Sequence, residues 1–580
     1  MHSRKERRTA TDGATSTQTP PAARRRWWPR VLLVVVGVLA SIVFGVVTAS
    51  VESSLGPHEA RYDVTADSTV TVDLGPLGEL LIDSPLPLGL GVTITVHEIP
   101  ASFVQLDQAT TLSGLSEDLD RYVQFFSAPQ TTISDVTRAL LIDAGVRAVT
   151  AFALLVVAWS LLVVLLGRAR REELAHRLRP HERQVALGSV LALLLLVVVA
   201  PQVDEGEDST AVASPVFDGT PLEGAQVTGR LGGVIDTYGA SALATYRDSQ
   251  AFYEKADTAL KEQWDATSSA VALAGRLAAP GGGAPTGVAA SAPDLLTVVV
   301  MSDLHCNVGM APLVTTLVKR SGASLVLDAG DTTMNGTAVE QYCVSTFAKA
   351  VPKGVDLVVS PGNHDSADTS AKYAKAGARV LHGEVTTVDG LRILGDRDPN
   401  ETRAGQGTSA GQRTEAEEGA DLAATACDDD DGVDLLLIHT PWVGDPTLDQ
   451  GCAPAQISGH LHKRVGPAQV GQGIRYVSSS SAGATLGQPT VGKLHGTAEL
   501  TVLHWNPQTR RFVDYQVVQI DTDATAHVLW PRPWPVAVPV VEPDVLAPGV
   551  LGPQPTVGPT SPTTPSPTPS AAPSDLATAD

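Results

Sequence analysis

The chain is short of positive charge. Its 580 residues hold 41 Lys and Arg against 63 Asp and Glu, a formal net charge of -22. The phosphate backbone of a nucleic acid asks for clustered Lys and Arg, so this balance argues against nucleic-acid binding. Cysteine is also scarce, with Cys306, Cys343, Cys427 and Cys452 all in the C-terminal half. None stands in a Cys-x-x-Cys pair, which argues against a thiolate zinc cluster. If that half lies outside the cytosol, Cys306–Cys343 and Cys427–Cys452 are the expected disulfides, with buried free thiols as the alternative.

Charge of either sign is absent from Val31–Ala49, Val149–Leu166 and Val185–Val203. Each run approaches the roughly 20 apolar residues that cross a bilayer. Basic residues flank them: Arg4, Lys5, Arg7, Arg8, Arg24, Arg25, Arg26 and Arg30 before the first, and Arg168, Arg170, Arg171, Arg177, Arg179 and Arg183 between the second and third. Lys and Arg in short flanking segments stay in the cytoplasm. The pattern predicts a disordered basic cytoplasmic tail over 1–30, transmembrane helices at 31–49, 149–166 and 185–203, and a basic cytoplasmic loop at 168–184. Everything after Val203 then lies outside the cytosol. A cleaved signal peptide is the competing reading of the first run, whose length exceeds the roughly 7–15 residues of a signal core.

Between the first two runs, residues 51–147 alternate apolar with polar side chains at Val64–Leu74 and Val92–Val96, punctuated by Gly and Pro. This predicts a small β-rich extracytoplasmic domain, within which residues 115–147 read as more helical. Residues 204–292 read as an acidic linker followed by a helical segment, and 523–580 as a Pro/Thr/Ser-rich tail that cannot bury a core. From 293 to 522 the pattern is strand, loop, helix, repeated, which predicts an α/β layered fold with ligands at the carboxyl ends of strands. Residues 397–432, polar and ending in Asp428–Asp431, read as a solvated insertion, and Ser478–Thr485 as a small-residue turn.

Five islands carry chemistry: Asp303-Leu304-His305, Gly330-Asp331, Gly362-Asn363-His364-Asp365, His439, and Gly459-His460-Leu461-His462. Each follows a predicted strand. Period-two geometry lets Asp303 and His305, and likewise His460 and His462, point the same way. Asp331, Asn363 and His439 complete a set of seven ligands, Asp303, His305, Asp331, Asn363, His439, His460 and His462, which suffices for two cations sharing the Asp331 carboxylate. Two such ions clamp a phosphate and supply a bridging hydroxide for in-line attack. His364 stands beside a ligand without being counted as one, so it is the candidate to assist the leaving group, with Asp365 expected to orient its imidazole. Imidazole, carboxylate and amide donors suit Mn, Fe or Zn.

These islands, in this order, resemble the calcineurin-like metallophosphoesterase superfamily over about 293–522. The resemblance implies two mixed β-sheets sandwiched between helices. It implies a first metal held by Asp303, His305, Asp331 and His462, and a second held by Asp331, Asn363, His439 and His460. His364 would then serve the leaving group or grip the phosphate. The expected protein is a multi-pass membrane hydrolase acting on a phosphomonoester, phosphodiester or pyrophosphate outside the cytosol. A non-catalytic receptor or envelope structural protein retaining the fold is the alternative.

Overall fold

The computed structural model describes residues 28–55, 58–97, 129–178, 212–218, 223–278, 295–337, 340–403, 407–485, 490 and 492–538. The run Leu296–Met301 is apolar without alternation because both of its faces are buried. Its side chains still divide by parity. Val298 and Val300 enter one core with Leu325, Leu327, Val358, Leu435, Ile457 and Tyr476. Val299 and Met301 enter another with Leu313, Leu317, Phe347 and Leu260. The first core lies between two sheets, and the second lies between a sheet and its helices.

In the first sheet Arg379–Val380, Asp356–Val359, Leu325–Asp328 and Leu296–Met301 run parallel. The sheet continues antiparallel through Ala498–Asn506, Arg511–Ile520 and Ala526–Val528. In the second sheet the order is Thr386–Val388, Leu391–Leu394, Leu435–Leu437, Ala455–Ser458, Gly473–Val477 and Val465–Val470. The helices Ala311–Ser321 and Gln341–Ala350 cover the outer face of the first sheet. The helix Glu415–Asp428 covers the second with Leu422 and Ala426. The α/β arrangement of two mixed sheets between helices is therefore present.

Sequence and structure part company in three places. The helix Ala240–Ala278, read with the linker, presents Phe252, Ala256, Leu260 and Trp264 at four-residue spacing into the first sheet's helical core. The Gly- and Pro-rich stretch after it looks like a domain boundary in composition, yet the helix packs across it. The sheet also runs past 522, through Ala526–Val528 and Arg532–Pro533. Finally, the segment 397–432 is not a solvated insertion. It holds a hairpin, Asn400–Arg403 with Gly407–Ala410, and a helix whose Leu422, Ala423 and Ala426 are buried. Thr414 and Glu417 close a capping box at the start of that helix.

The N-terminal part is built on the helices Trp28–Val47 and Pro129–Leu165. They approach so closely that a Cβ on Gly45 would fall 2.3 Å from the Ala144 carbonyl oxygen. Among the described residues, Ile133–Leu165 is long and apolar enough to cross a membrane, and Val31–Val47 is a shorter apolar helix. The expected span 149–166 is thus the second half of a helix that starts at Pro129. The expected span 185–203 lies outside the described residues, as do most of the basic tail and the Pro-rich tail. Ser50–Leu55 follows directly on the first helix and opens a seven-stranded sheet with His58–Thr65, Gly91–Val96, Thr69–Asp73 and Glu79–Asp83. Its last two strands, Gln226–Val227 and Val212–Ala213, come from beyond the second helix. Both expected disulfides, Cys306–Cys343 and Cys427–Cys452, are present.

Candidate metal centre

All five islands lie at the same end of the two facing sheets. Their backbone is unusual: Asp303, His305, Asp331, His460 and His462 all have positive φ, between 41° and 72°. Outside glycine that region costs on the order of 1–2 kcal/mol per residue. Such strain gathers where surroundings over-determine the conformation, as at functional sites. The paired ligands therefore converge through left-handed turns and not through the period-two pleat. Each strand has already ended, and the pleat with it.

Hydrogen bonds hold these turns. Asp303 N donates to the Gly330 carbonyl at 2.8 Å, His305 N to the Asp331 carbonyl at 2.9 Å, and Cys306 N to the Thr332 carbonyl at 2.8 Å. Gly330 has φ +99°, and a Cβ there would lie 2.6 Å from Gly362 N and 2.8 Å from His439 Nδ1. Nothing larger than glycine leaves room for that loop crossing. Behind the turn, Asp328 accepts from Gly330 N at 3.0 Å and Tyr373 Oη at 2.8 Å. Burial, with the charge of Asp365 second, pushes its carboxyl up to about 7. The Ser478–Ser481 turn is buried under the same loops, where Ser480 Oγ donates to the Asp303 carbonyl at 2.7 Å. It supports the site and does not line it.

The structure brings all seven expected ligands together in two adjoining groups. Asp303, His305, Asp331 and His462 place ligand atoms within 4.8 Å of one another. His305 Nε2 is 2.9 Å from His462 Nε2, and His462 Nε2 is 3.4 Å from Asp303 Oδ1. On the other side of Asp331, His439 Nε2 is 3.1 Å from Asp331 Oδ2, and His460 Nδ1 is 2.9 Å from Asn363 Oδ1. His460 N also donates to Asp303 Oδ1 at 3.0 Å, linking the two groups.

His439 tests whether cations fit. Its Nδ1 faces the Ala329 carbonyl at 2.6 Å, so that nitrogen carries the proton and donates. The buried Nε2 then points a lone pair at the Asp331 carboxylate and has no hydrogen-bond partner. Two electron-rich atoms held in that way call for positive charge between them, a proton in the metal-free chain or a metal ion in the loaded one. In the metal-free chain, burial pushes the His439 imidazolium down, but the carboxylates of Asp331 and Asp303 outweigh it and raise its pKa well above the usual value. For Asp331 burial opposes ionisation, yet the charges of His439, His364 and His305 hold its carboxyl well below the ordinary range. Burial lowers His305 to about 4, keeping it neutral as a ligand must be.

His364 sits beside the first group with its ring centroid 5.1 Å from that of His305. Its expected orientation by Asp365 is not found. His364 Nδ1 faces the Met334 carbonyl at 2.6 Å. The Asp365 carboxylate instead accepts from Asp331 N at 3.0 Å, Gly362 N at 3.0 Å and Thr333 N at 3.1 Å. Asp365 turns back on the loop because the Gly362–Asp365 turn carries it into the buried interior, where three backbone amides await an acceptor. Its role is to fix the Asp331 loop.

Sequence reading missed Thr402. Its Oγ1 accepts from Asn363 Nδ2 at 2.7 Å, and its N donates to the Asn363 carbonyl at 2.8 Å. This turns the Asn363 amide oxygen toward His460. Arg403 adds donors to the Asn363 carbonyl at 3.1 Å and the Asp365 carbonyl at 3.3 Å. No motif marks a threonine 39 residues from its partner. Thr402→Val, which deletes the acceptor at nearly constant shape, should weaken metal binding about 10–100-fold while leaving kcat at saturating Mn close to wild type. Activity titrated with Mn checks this.

Residues 296–464 match the profile of the calcineurin-like phosphoesterases. No curated relative matches the chain. Among solved structures, a dimetal phosphatase from Danio rerio is 11% identical over 42% of this chain and 100% of its own, with a TM-score of 0.27. A phosphatase from Mycoplasma pneumoniae is 11% identical over 39% of this chain and 94% of its own, also at 0.27. The NAD nucleotidase of Haemophilus influenzae is 13% identical over 41% of this chain and 49% of its own, at 0.24. Likenesses this low say nothing of substrate.

Proposed function

We propose that this protein, whose residues 296–464 form a calcineurin-like phosphoesterase domain hydrolysing phosphoester bonds, is a membrane-anchored binuclear enzyme facing away from the cytosol. One observation carries the chemistry: seven ligand side chains from five loops converge on two adjoining positions that share Asp331. Mn, Fe or Zn bound there would activate a water and offset phosphate charge. The chain's own residues supply the rest. His305 and His462, on strained turns, and His439, fixed through Nδ1 by the Ala329 carbonyl, meet the two carboxylates, so little reorganisation accompanies binding. His364, with Nδ1–H held by the Met334 carbonyl, leaves Nε2 free, and in its imidazolium form would give the Nε2 proton to the leaving oxygen. The test is hydrolysis by the full-length chain, with Mn, of phosphomonoesters, phosphodiesters and pyrophosphates. Activity removed by a chelator and restored by Mn is expected. Inactivity across the panel with Mn, Fe and Zn would sink the reading.

Three observations support the location. Disulfides persist in oxidising compartments. Strands from 212–227 join the sheet formed by residues 50–96. If Ile133–Leu165 crosses a bilayer, the chain must therefore cross back before 212, and the uncharged run Val185–Val203 is available for that. The basic loop 168–184 lies between the two crossings, on the cytoplasmic side by its charge. The native cysteines are paired, so introduced thiols can report topology. Ala175→Cys should resist, and Lys353→Cys accept, a membrane-impermeant maleimide applied to intact cells. The reverse pattern would invert the orientation.

A further inference from the structure

The phosphoesterase domain buries its apolar side chains well. Among the described residues from 296 to 520, the large apolar side chains left exposed are Trp442, Leu461 and Val465. Two of them border the metal centre. Leu461 stands between the ligands His460 and His462 at 43% exposure, and Trp442, at 41%, follows His439 by three residues. The indole ring lies edge-on to the His460 ring, with centroids 5.4 Å apart and planes at 78°. His460 is itself edge-on to His439 at 5.3 Å.

The indole is held in place. Its Nε1–H donates to Glu415 Oε2 at 2.6 Å, and the other oxygen of that carboxylate accepts from Asn400 Nδ2 at 2.7 Å. Asn400 and Glu415 both come from the segment that also contributes Thr402 to Asn363. An isolated exposed tryptophan needs no explanation. A tryptophan locked by a buttressed hydrogen bond, with its edge contact to His460 on the ligand loop, is a prepared flat surface. It adjoins the Asn363–His460 side of the centre, opposite the side where His364 meets His305.

We propose that Trp442 is a specificity surface that stacks a planar aromatic group of the phosphoester substrate, a nucleobase or aryl ring. This rests on the phosphoesterase reading and adds the substrate class to it. A rigid planar ring with a fixed N–H favours stacking over an acyl chain, which would be served as well by flexible aliphatic side chains.

The test compares aryl or nucleotide substrates with alkyl ones on the full-length chain: p-nitrophenyl phosphate and a nucleoside monophosphate against glycerol phosphate, and bis-p-nitrophenyl phosphate against glycerophosphocholine. Trp442→Ala should raise KM about tenfold or more for the ring-bearing member of each pair and move the alkyl member by less than about twofold. Trp442→Phe should restore most of the difference. Glu415→Ala, which frees the indole without removing it, should shift KM in the same direction by a smaller factor. Equilibrium dialysis with adenosine, on the metal-free protein, gives a readout independent of turnover and should weaken by a similar factor in Trp442→Ala. Equal effects on ring-bearing and alkyl substrates, or none, overturn the proposal. So does a larger loss on long-chain lipid phosphoesters, which would assign the surface to an acyl chain. If the wild type hydrolyses no phosphoester, the phosphoesterase reading fails, and the stacking surface stands or falls on adenosine binding.

Discussion

Asp331→Asn should cost about a thousandfold or more in kcat/KM, because on the proposed reading several kcal/mol of transition-state stabilisation would depend on cations that this carboxylate would help to hold. The substitution tests charge and not shape. Asp331 Oδ1 accepts from His364 N at 2.9 Å, a bond an asparagine oxygen reproduces. The new amide would sit where Oδ2 is, 3.1 Å from the unpartnered His439 Nε2, and can donate to it. The metal-free variant should thus fold, with a thermal midpoint near wild type. What it loses is the anion that two neighbouring positions have in common. After dialysis against Mn, metal content should fall well below that of the wild type, and the Mn-dependent rise in thermal midpoint should shrink with it. Undiminished hydrolysis by Asp331→Asn would refute the enzyme assignment.

His364→Ala should separate chemistry from metal binding. The side chain makes one observed hydrogen bond, from Nδ1 to the Met334 carbonyl. It stands outside both ligand groups, so its removal should leave Mn content unchanged. Loss of a general acid typically costs about 10²–10⁴-fold in rate. The size should depend on the leaving group: small for p-nitrophenolate, which departs without a proton, and large for an alkoxide. Parallel kcat values for p-nitrophenyl and alkyl esters, each wild type against variant, check this. An equal loss on both would reassign His364 to holding the phosphate. Asp365 does not share this role, since its contacts are the amides of the Asp331 loop.

The layered α/β core was legible because its strands are buried on both faces and leave unbroken apolar runs such as Val298–Met301. The metal ligands were legible for a related reason. Asp and His at strand ends have few other uses in such a core, and their spacing survives whatever the loops between them do. The N-terminal helix was visible as an uncharged run, and residues 115–147 read as helical, but their continuity with the apolar run 149–166 was not visible. Thr131, Thr132, Ser134 and Asp135 give that stretch a polar start in one dimension. In three, Ser134 and Asp135 meet Lys349 of the phosphoesterase domain, each at 2.8 Å.

Residue types and their order pointed to the reaction class and to seven candidate ligands, since both rest on the chemistry a side chain carries wherever it is placed; for the cysteines they left free thiols open, and the structure pairs them. Tertiary structure decided how those side chains meet. It set the left-handed turns that aim Asp303, His305, Asp331, His460 and His462, and the carbonyl that orients His364 in place of Asp365. It brought the hairpin's Thr402 under Asn363, and Glu415 against Trp442. Hydrogen bonds between residues tens of positions apart leave no periodic trace in a sequence. They exist because two sheets packed face to face bring distant loops to one edge.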